Sequence, residues 1–192
     1  MVRPASTVTA MNKPENILIL FGSPNKRGYT AKLTDLFVEQ YVSSLHNAYT
    51  LETLYAYDHH YLPCRGCGQC DSSGVCVFNE KDGFGQLFDQ LRAADTLIVA
   101  TPVYFLSFPA PLKTIIDRTQ QLFGVKFGQG GGRNQKLHRG CLVSTCGSDD
   151  PSSFHCLERA TRMFFDCLDI GFVDRLYARN TDHPENIKIT DQ

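Results

Sequence analysis

The sequence lacks an excess of charge of either sign. Its 192 residues include 19 Lys and Arg and 20 Asp and Glu, which gives a formal net charge of −1 with neutral histidines. Proteins that bind nucleic acids usually carry a basic stripe, so the composition predicts no nucleic-acid partner. The chain also has no apolar run approaching the length of a membrane span, and its first fifteen residues contain no continuous apolar segment typical of a secretory signal. We therefore expect no membrane partner and a cytoplasmic location.

Motifs that identify several common enzyme classes are missing as well. The loop after the first predicted strand has neither the G-x-x-x-x-G-K-[ST] motif of nucleoside triphosphatases nor the G-x-G-x-x-G motif of dinucleotide-binding folds. No arrangement of Ser, His and Asp, or of paired carboxylates, indicates hydrolytic catalysis. What the chain has instead is a regular alternation of apolar segments typical of strands and amphipathic segments typical of helices.

Five segments are typical of strands in a parallel sheet. Ile17 to Phe21 are consecutive apolar residues, too few for an ordinary helix, and Gly22 to Asn25 end this run. Segments with the apolar spacing of helices follow the strands, and the last of these predicted helices is expected to end at Gly171. The predicted strands cover 17–21, 49–57, 96–101, 139–145 and 172–178. This alternation predicts an α/β fold with helices on both faces of the sheet.

The loop after the first strand is suited to binding a phosphate. The N–H groups of the first helical turn lack internal partners and lie at the positive end of the helix dipole. Ser23, Asn25 and Thr30 add side-chain donors, and Gly28 permits a close approach of the backbone. A terminal monophosphate is the ligand that this loop favours. The alternative is a tight strand-to-helix connection in which Thr30 caps the helix.

The loop after the third strand is rich in aromatic groups. Pro102 and Val103 place a rigid turn beside the rings of Tyr104 and Phe105. These rings could close a hydrophobic core from above, but beside a phosphate loop they favour a platform for a flat heteroaromatic ring. Ligands of parallel sheets bind at the carboxyl ends of the strands. The loops expected to form one site there are 22–30, 102–109 and 145–150.

Three motifs, in this order, resemble those of the NADPH-dependent FMN reductases in the flavodoxin-like superfamily: Gly22-Ser-Pro-Asn-Lys-Arg-Gly-Tyr-Thr30, Thr101-Pro-Val-Tyr-Phe105 and Leu112-Lys-Thr-Ile-Ile-Asp-Arg118. The resemblance covers nearly all of residues 16–180. It implies a flavodoxin-like three-layer sandwich with a five-stranded parallel sheet in the order 2-1-3-4-5, and a flavin-dependent oxidoreductase that uses an electron donor such as NAD(P)H. It also implies a homodimer or homotetramer in which a neighbouring subunit helps to cover the flavin.

The same resemblance implies which residues hold FMN. Its phosphate is expected at Ser23, Asn25, Gly28, Tyr29 and Thr30. Its isoalloxazine ring is expected against Pro102, Val103, Tyr104 and Phe105, with Gly147 nearby where relatives have a glycine-rich turn. Asp117 and Arg118 match the family motif and are expected to serve helix packing or a subunit contact.

Eight cysteines occur in a chain without a recognisable secretory signal, so we expect no framework of disulfides. Four of them form a C-x2-C-x2-C-x5-C motif at Cys64, Cys67, Cys70 and Cys76. Three thiolates at such close intervals suit three corners of an iron–sulfur cubane, and the fourth can return to the same cluster. Structural zinc usually uses two separated C-x2-C pairs, which makes zinc the weaker interpretation. Thiols that bind no metal are the third.

This cysteine spacing is similar to that of the iron–sulfur flavoproteins, a subgroup of the same superfamily that carries a [4Fe–4S] cluster in an inserted loop. The resemblance implies an oxidoreductase that passes electrons between FMN, the cluster and a redox partner protein. Two alternatives stay open. One is a cluster-free NAD(P)H-dependent reductase of FMN, quinones or azo compounds, and the other is a non-enzymatic flavodoxin-like carrier or redox sensor.

The expected organisation is one FMN-binding domain with short extensions. A flexible N-terminus covers 1–14, the domain covers 15–180 with the cysteine loop inserted at 62–79, and a polar C-terminal tail covers 181–192. Within the domain, the polar segment around Gly130–Asn134 is expected to be mobile.

Overall fold

The computed structural model describes residues 13–128 and 138–191. The expected N-terminal extension lies almost entirely outside these residues, and the segment Gly130–Asn134 lies wholly outside them. Within the described ranges, no helix has both the length and the apolar character needed to cross a membrane.

A mostly parallel sheet forms the middle of the molecule. Its strands are β1 (Glu15–Phe21), β2 (Tyr49–Tyr55), β3 (Thr96–Pro102), β4 (His138–Thr145), β5 (Ile170–Arg179) and β6 (Lys188–Asp191). Their order is β2-β1-β3-β4-β5-β6, in which the first five strands pair in parallel and β6 pairs antiparallel with β5. The predicted flavodoxin-like fold and the order of the first five strands are confirmed.

Helices cover both faces of this sheet. They are α1 (Tyr29–Ser43), α2 (Cys70–Ser73), α3 (Phe84–Ala93), α4 (Ala110–Arg118), α5 (Gln120–Phe123) and α6 (His155–Cys167). Short 3-10 turns cover Ala56–Asp58, Pro151–Phe154 and Pro184–Asn186, and a π-helical turn covers Gly124–Gly128.

The core is divided into two halves by the sheet. Because side chains alternate along a strand, Ile17 of β1 packs on the same side as Phe37 of α1, whereas Leu18 packs on the opposite side. That opposite side also contains Leu87 of α3 and Leu112 of α4. Both faces of the central strands are therefore buried, which explains why these strands are almost continuously apolar.

Two sequence-based expectations need correction. The segment 181–192, expected to be a polar tail, contains β6, because its backbone pairs with the otherwise open edge of β5. The last predicted helix ends at Cys167 rather than at Gly171, which lies within β5. The reversal is made by Asp169, whose φ is 59°. Aspartate tolerates this left-handed conformation better than most residues, so glycine is not required.

Candidate functional site

The three predicted site loops begin side by side at the carboxyl end of the sheet. The Gly22 N–H donates to the Ala100 carbonyl of β3 at 2.7 Å, and the Val103 N–H donates to the Thr145 carbonyl of β4 at 2.8 Å. The hydroxyl oxygens of Thr30 and Thr145 are 2.8 Å apart, so the first and third loops are also linked. These contacts bring together segments that are far apart in the sequence.

The first loop is closed by its own hydrogen bonds. Ser23 is buried, and its Oγ accepts from the Asn25 N–H at 3.2 Å. The Asn25 Oδ1 accepts from the Arg27 N–H at 3.0 Å, and a Cβ at Gly28 would lie only 3.1 Å from the Asn25 Nδ2. A glycine therefore lets the loop turn tightly into α1. The exposed Tyr29 follows this turn directly.

The amino end of α1 has the form of an anion site. Gly28 occupies the N-cap position and has no side chain that could accept hydrogen bonds from the first turn. The alternative in which Thr30 caps the helix is wrong, because Thr30 lies inside α1 and its hydroxyl meets that of Thr145. The first N–H groups of a helix are thus presented beside Ser23 and Asn25, where an anion is stabilised by the helix dipole.

The second loop is a tight turn with an exposed aromatic ring at its tip. Tyr104 and Ser107 exchange two backbone hydrogen bonds of 2.9 Å each. The two residues between them, Phe105 and Leu106, have φ values of 49° and 58°. Such values suit the twist of a two-residue turn but cost free energy in residues other than glycine, asparagine and aspartate. The Phe105 side chain is fully exposed, at 105 % relative exposure, so its ring gains no packing from the described part of the chain.

The platform behind this turn is less exposed. Pro102, the last residue of β3, is half-buried, and Val103 packs against the core. Tyr104 is exposed next to them. The four residues expected to contact a flat ring therefore form a continuous rim from the end of β3 to the tip of the turn.

The third loop is held by a segment that sequence reasoning did not connect with the site. The Thr181 N–H donates to the Cys146 carbonyl at 3.1 Å, and the Asn180 N–H donates to the Ser148 carbonyl at 2.8 Å. A Cβ at Gly147 would overlap the carboxylate of Asp182. Gly147 is therefore required for the close approach of Asp182. The only sequence signal for this contact was the glycine itself.

The cysteine segment forms a small cavity of its own. All four motif cysteines line this cavity of about 170 Å³, together with Phe78 and Gln120. The chain can double back here because Gly66, Gly68 and Gly74 adopt φ values of 62°, 72° and 69°. The lining cysteines are Cys64 and Cys67, which are exposed, and Cys70 and Cys76, which are partly buried.

The geometry of these thiols is more open than that of a single-ion site. In the described part of the chain, no three or more His, Cys, Asp or Glu side chains are grouped so that they could hold a metal ion. A zinc ion needs four ligands that converge on one point at about 2.0–2.3 Å. A cubane differs, because each thiolate binds a different iron at a separate corner. The four cysteines thus line one cavity without converging on a single point.

The environment of Cys70 favours its protonated form in the absence of a metal. Burial raises the pKa of the Cys70 thiol, and the nearby Asp71 carboxylate and the Cys76 and Cys64 thiols raise it further. A metal ion bound to Cys70 would favour its thiolate instead.

A buried arginine anchors both ends of the cysteine segment. Arg118, at the end of α4, is 1 % exposed. Its Nη1 donates to the Leu62 carbonyl at 2.8 Å and to Asp82 Oδ2 at 2.6 Å, and its Nη2 donates to Asn79 Oδ1 at 3.1 Å. Asp82 Oδ2 also accepts from the Leu62 N–H at 2.8 Å. The sequence suggested helix packing or a subunit contact for Arg118, whereas its guanidinium connects the residues that precede and follow the four cysteines.

Neighbouring residues of α5 support the same segment. Gln121 is buried, and its Oε1 accepts from the Cys76 N–H at 3.0 Å and from Asn79 Nδ2 at 2.9 Å. A Cβ at Gly124 would lie 2.6 Å from Asp71 Oδ1, so α2 packs directly on the backbone that follows α5. The cysteine segment thus packs on α5 and the π-helical turn that follows it.

Comparison with known proteins identifies the family of this chain. The sequence profile of the NADPH-dependent FMN reductase family matches residues 16–178. The chain belongs to this family. The match includes all three loops at the carboxyl end of the sheet, and the cysteine segment lies within it.

Among curated proteins, this FMN reductase family member is similar to iron–sulfur flavoproteins of two archaea. It is 30% identical to one of Methanosarcina thermophila over 123 residues, covering 59% of this chain and 62% of the relative. It is 32% identical to one of Archaeoglobus fulgidus over 99 residues, covering 52% of this chain and 43% of the relative. The chain therefore spans about half the length of the curated relatives it matches.

Solved structures of the same fold include an FMN-dependent NADH-azoreductase of Bacillus anthracis in complex with FMN. It superimposes with a TM-score of 0.61 at 15% identity, over 88% of this chain and 89% of that one. At this identity the likeness shows the fold alone.

Proposed function

We propose that this FMN reductase family member is an iron–sulfur flavoprotein, an oxidoreductase that passes electrons between FMN, a [4Fe–4S] cluster and a redox partner. The observation that carries the proposal is the single cavity lined by all four motif cysteines. The similarity to two iron–sulfur flavoproteins supports it.

The proposed FMN site uses the three loops at the carboxyl end of the sheet. Ser23, Asn25, Gly28, Tyr29 and Thr30 would hold the phosphate at the amino end of α1. The ring would lie against Pro102, Val103, Tyr104 and Phe105, with Gly147 at its edge. The buried Ser23 hydroxyl and the first N–H groups of α1 would bind the anion, while the exposed turn that carries Phe105 would lie beside the ring.

The proposed cluster site uses Cys64, Cys67, Cys70 and Cys76. Bound FMN would exchange electron pairs with a donor such as NAD(P)H and single electrons with the cluster, which carries one electron at a time. The protein orients both groups: Arg118 and Gln121 hold the cysteine segment at one end of α4 and α5, and α4 begins directly after the turn at Tyr104–Ser107.

We also propose that the active form is a homodimer or homotetramer. Tyr104, Phe105 and Leu106 are all exposed at the rim of the proposed flavin site. A second subunit that covers this apolar turn would bury the rings and exclude water from the flavin.

The decisive test is the composition of protein purified without oxygen. We expect a flavin absorption spectrum on a broad brown shoulder, with about four irons and four sulfides for each FMN. Replacing one partly buried ligand, Cys70→Ser, should remove most of the iron and leave FMN bound. Cys156→Ser is the matched control, because Cys156 is an exposed cysteine outside the motif.

Other outcomes point to the alternatives. A clean flavin spectrum that cluster reconstitution does not change, together with rapid NADPH oxidation, would support a cluster-free reductase. Negligible turnover with any nicotinamide and acceptor would instead support a carrier or sensor. Full iron retention by Cys70→Ser contradicts the proposed ligand set.

A further inference from the structure

An arginine-lined cavity adjoins the third site loop at Asp149 but shares no residue with either proposed redox site. It is an open groove of about 620 Å³ between α6 and the last two strands. Alternation along β5 directs Arg175, Tyr177 and Arg179 to one face of the sheet, and Thr190 of β6, paired with Tyr177, lines the same groove. The groove therefore depends on the sixth strand that the sequence did not reveal.

The opposite wall of the groove is one face of α6. His155, Glu158, Arg159 and Arg162 follow helical spacing and line the groove together. The lining thus contains four arginines and one carboxylate, although the whole chain has a net charge of −1. Arginines therefore outnumber carboxylates among the residues that line this groove.

Glu158 fixes the positions of two of these arginines. One of its carboxylate oxygens accepts from Arg162 Nε at 3.1 Å and Nη2 at 2.8 Å, and the other accepts from Arg175 Nη1 at 2.8 Å and the Tyr177 hydroxyl at 2.9 Å. Burial disfavours the carboxylate, but these hydrogen bonds and the charges of both arginines lower the pKa of Glu158 below its usual value. Glu158 therefore stays charged and orders the guanidiniums before any ligand arrives.

Most N–H donors of these arginines are not engaged by Glu158. A guanidinium has five N–H donors, and Glu158 engages only two from Arg162 and one from Arg175. Arg159, on the exposed side of α6, makes no ion pair within the described ranges. Arg179 lies at the far end of the groove, where its Nη1 donates to the Asp149 carbonyl at 3.0 Å and its Nε lies 3.4 Å from the Asp149 carboxylate, so its charge is already paired. The floor is closed by Phe154 and Tyr177, whose ring centroids are 4.3 Å apart.

We propose that this groove binds a small molecule that carries two or more phosphate groups, of the size of a nucleoside diphosphate. Guanidinium forks match phosphate oxygens in pairs, and ordered arginines lose little freedom on binding. The volume lies within the range of about 300–1,000 Å³ that is typical of small-molecule sites, and a concave groove suits a small ligand better than a flat protein surface. The groove shares no residue with the loops proposed to hold FMN.

The test is calorimetric titration of ADP, and separately of pyrophosphate, into the FMN-loaded protein at about 0.15 M salt, where distant surface charges are screened. We expect both probes to bind without displacing FMN. Arg159→Glu should raise the dissociation constants of both probes about tenfold or more. Arg92→Glu is the control, because it makes the same change of charge on the exposed surface of α3.

Three results would overturn the proposal. The first is that ADP and pyrophosphate both fail to bind. The second is equal weakening by Arg159→Glu and Arg92→Glu, which would indicate a general effect of net charge. The third is release of FMN during the titration, which would place the probes in the flavin site. Unchanged FMN content and melting temperature in Arg159→Glu establish that the variant is folded.

Discussion

Arg118 is a buried cation whose charge is matched by specific partners. Removing a charge from water costs several kcal/mol unless hydrogen bonds and an opposite charge compensate. Asp82 supplies the opposite charge, and burial of its carboxylate is more than offset by hydrogen bonds from Arg118 and from the Leu62 and Phe84 N–H groups, so that its pKa is lowered. The Phe84 ring lies 4.3 Å from the guanidinium carbon and covers the remaining face.

Lysine at this position should keep the charge but lose the anchor. An ammonium group cannot reach Leu62, Asn79 and Asp82 in the fixed geometry of a guanidinium fork. We expect Arg118→Lys to lower iron and sulfide per chain at least twofold under conditions that load the wild type, while FMN per chain is unchanged. Iron, sulfide and flavin analyses of anaerobically purified protein measure this.

The control for this variant is a second arginine whose ion pair is remote from the cysteines. Arg139 pairs with Glu15 at 2.5 Å at the amino end of the sheet. Arg139→Lys should leave iron and sulfide at the wild-type level. Full iron loading in Arg118→Lys would show that the segment does not need this anchor, and equal loss of iron and FMN would indicate general unfolding instead.

The roles of some single residues could be predicted from the sequence, and those of others could not. The cysteine motif was recognisable because its members are close together in the chain. The anchor was not, because Arg118 lies 36 residues from Asp82 and 56 from Leu62. An aspartate in a polar loop is normally solvated, and only the fold reveals that Asp82 is buried against a guanidinium.

At the scale of elements, the connection between β1 and α1 carries the strongest functional expectation. Its strand, glycine-containing loop and helix were all predicted correctly, because each follows from local apolar spacing and turn residues. The proposed phosphate binding rests on the N–H groups of the first turn of α1 and on the Ser23 hydroxyl.

Comparing FMN with riboflavin isolates the role of this loop, since riboflavin lacks the phosphate. At a hundredfold excess over its dissociation constant, FMN should add about 2.7 kcal/mol to the free energy of unfolding. For a chain of this size that corresponds to a rise of about 5–10 °C in melting temperature. Riboflavin at the same concentration should give a clearly smaller rise, as measured by thermal unfolding of flavin-free protein.

One variant in the loop before α1 and one at the far end of this helix sharpen this comparison. Ser23→Ala should weaken FMN binding about tenfold, because a hydrogen bond to a charged group contributes about 1.5–3 kcal/mol, and should leave riboflavin binding nearly unchanged. Ser43→Ala, which removes a hydroxyl bonded to the Gln40 carbonyl at the far end of α1, is the control. Equal melting temperatures with FMN and riboflavin would contradict a phosphate site in this loop.

Elements held by long-range pairing were the ones that the sequence missed. Lys188–Asp191 is short and mostly polar, so nothing local distinguishes it from a tail, and it becomes a strand because β5 offers an unpaired edge. The left-handed turn at Phe105 and Leu106 was missed for a related reason. Neither residue favours that conformation, and the surrounding backbone imposes it.

At the scale of the whole molecule, the buried core and the cysteine segment lie in different regions. Both halves of the core are formed by the sheet and by α1, α3, α4 and α6. Between Ala56 and Phe84, no apolar side chain is fully buried in the core. The alternation of strands and helices was sufficient to predict the fold for this reason, since the inserted cysteine segment contributes little to it.

Removal of iron should therefore loosen one segment and leave the fold intact. We expect protein treated anaerobically with a chelator to keep its far-ultraviolet circular dichroism and a cooperative melting transition within a few degrees of the loaded protein. Limited proteolysis should cut selectively within residues 62–79, and thiol reagents should label Cys64 and Cys67 much faster than in loaded protein.

Cys141 is an internal reference, because burial raises the pKa of its thiol to about 12 and keeps it unreactive at pH 8. Small metal-dependent domains unfold completely when the metal is removed. Labelling of Cys141 together with Cys64 after chelation would show such global unfolding and would contradict a core that is stable without the metal.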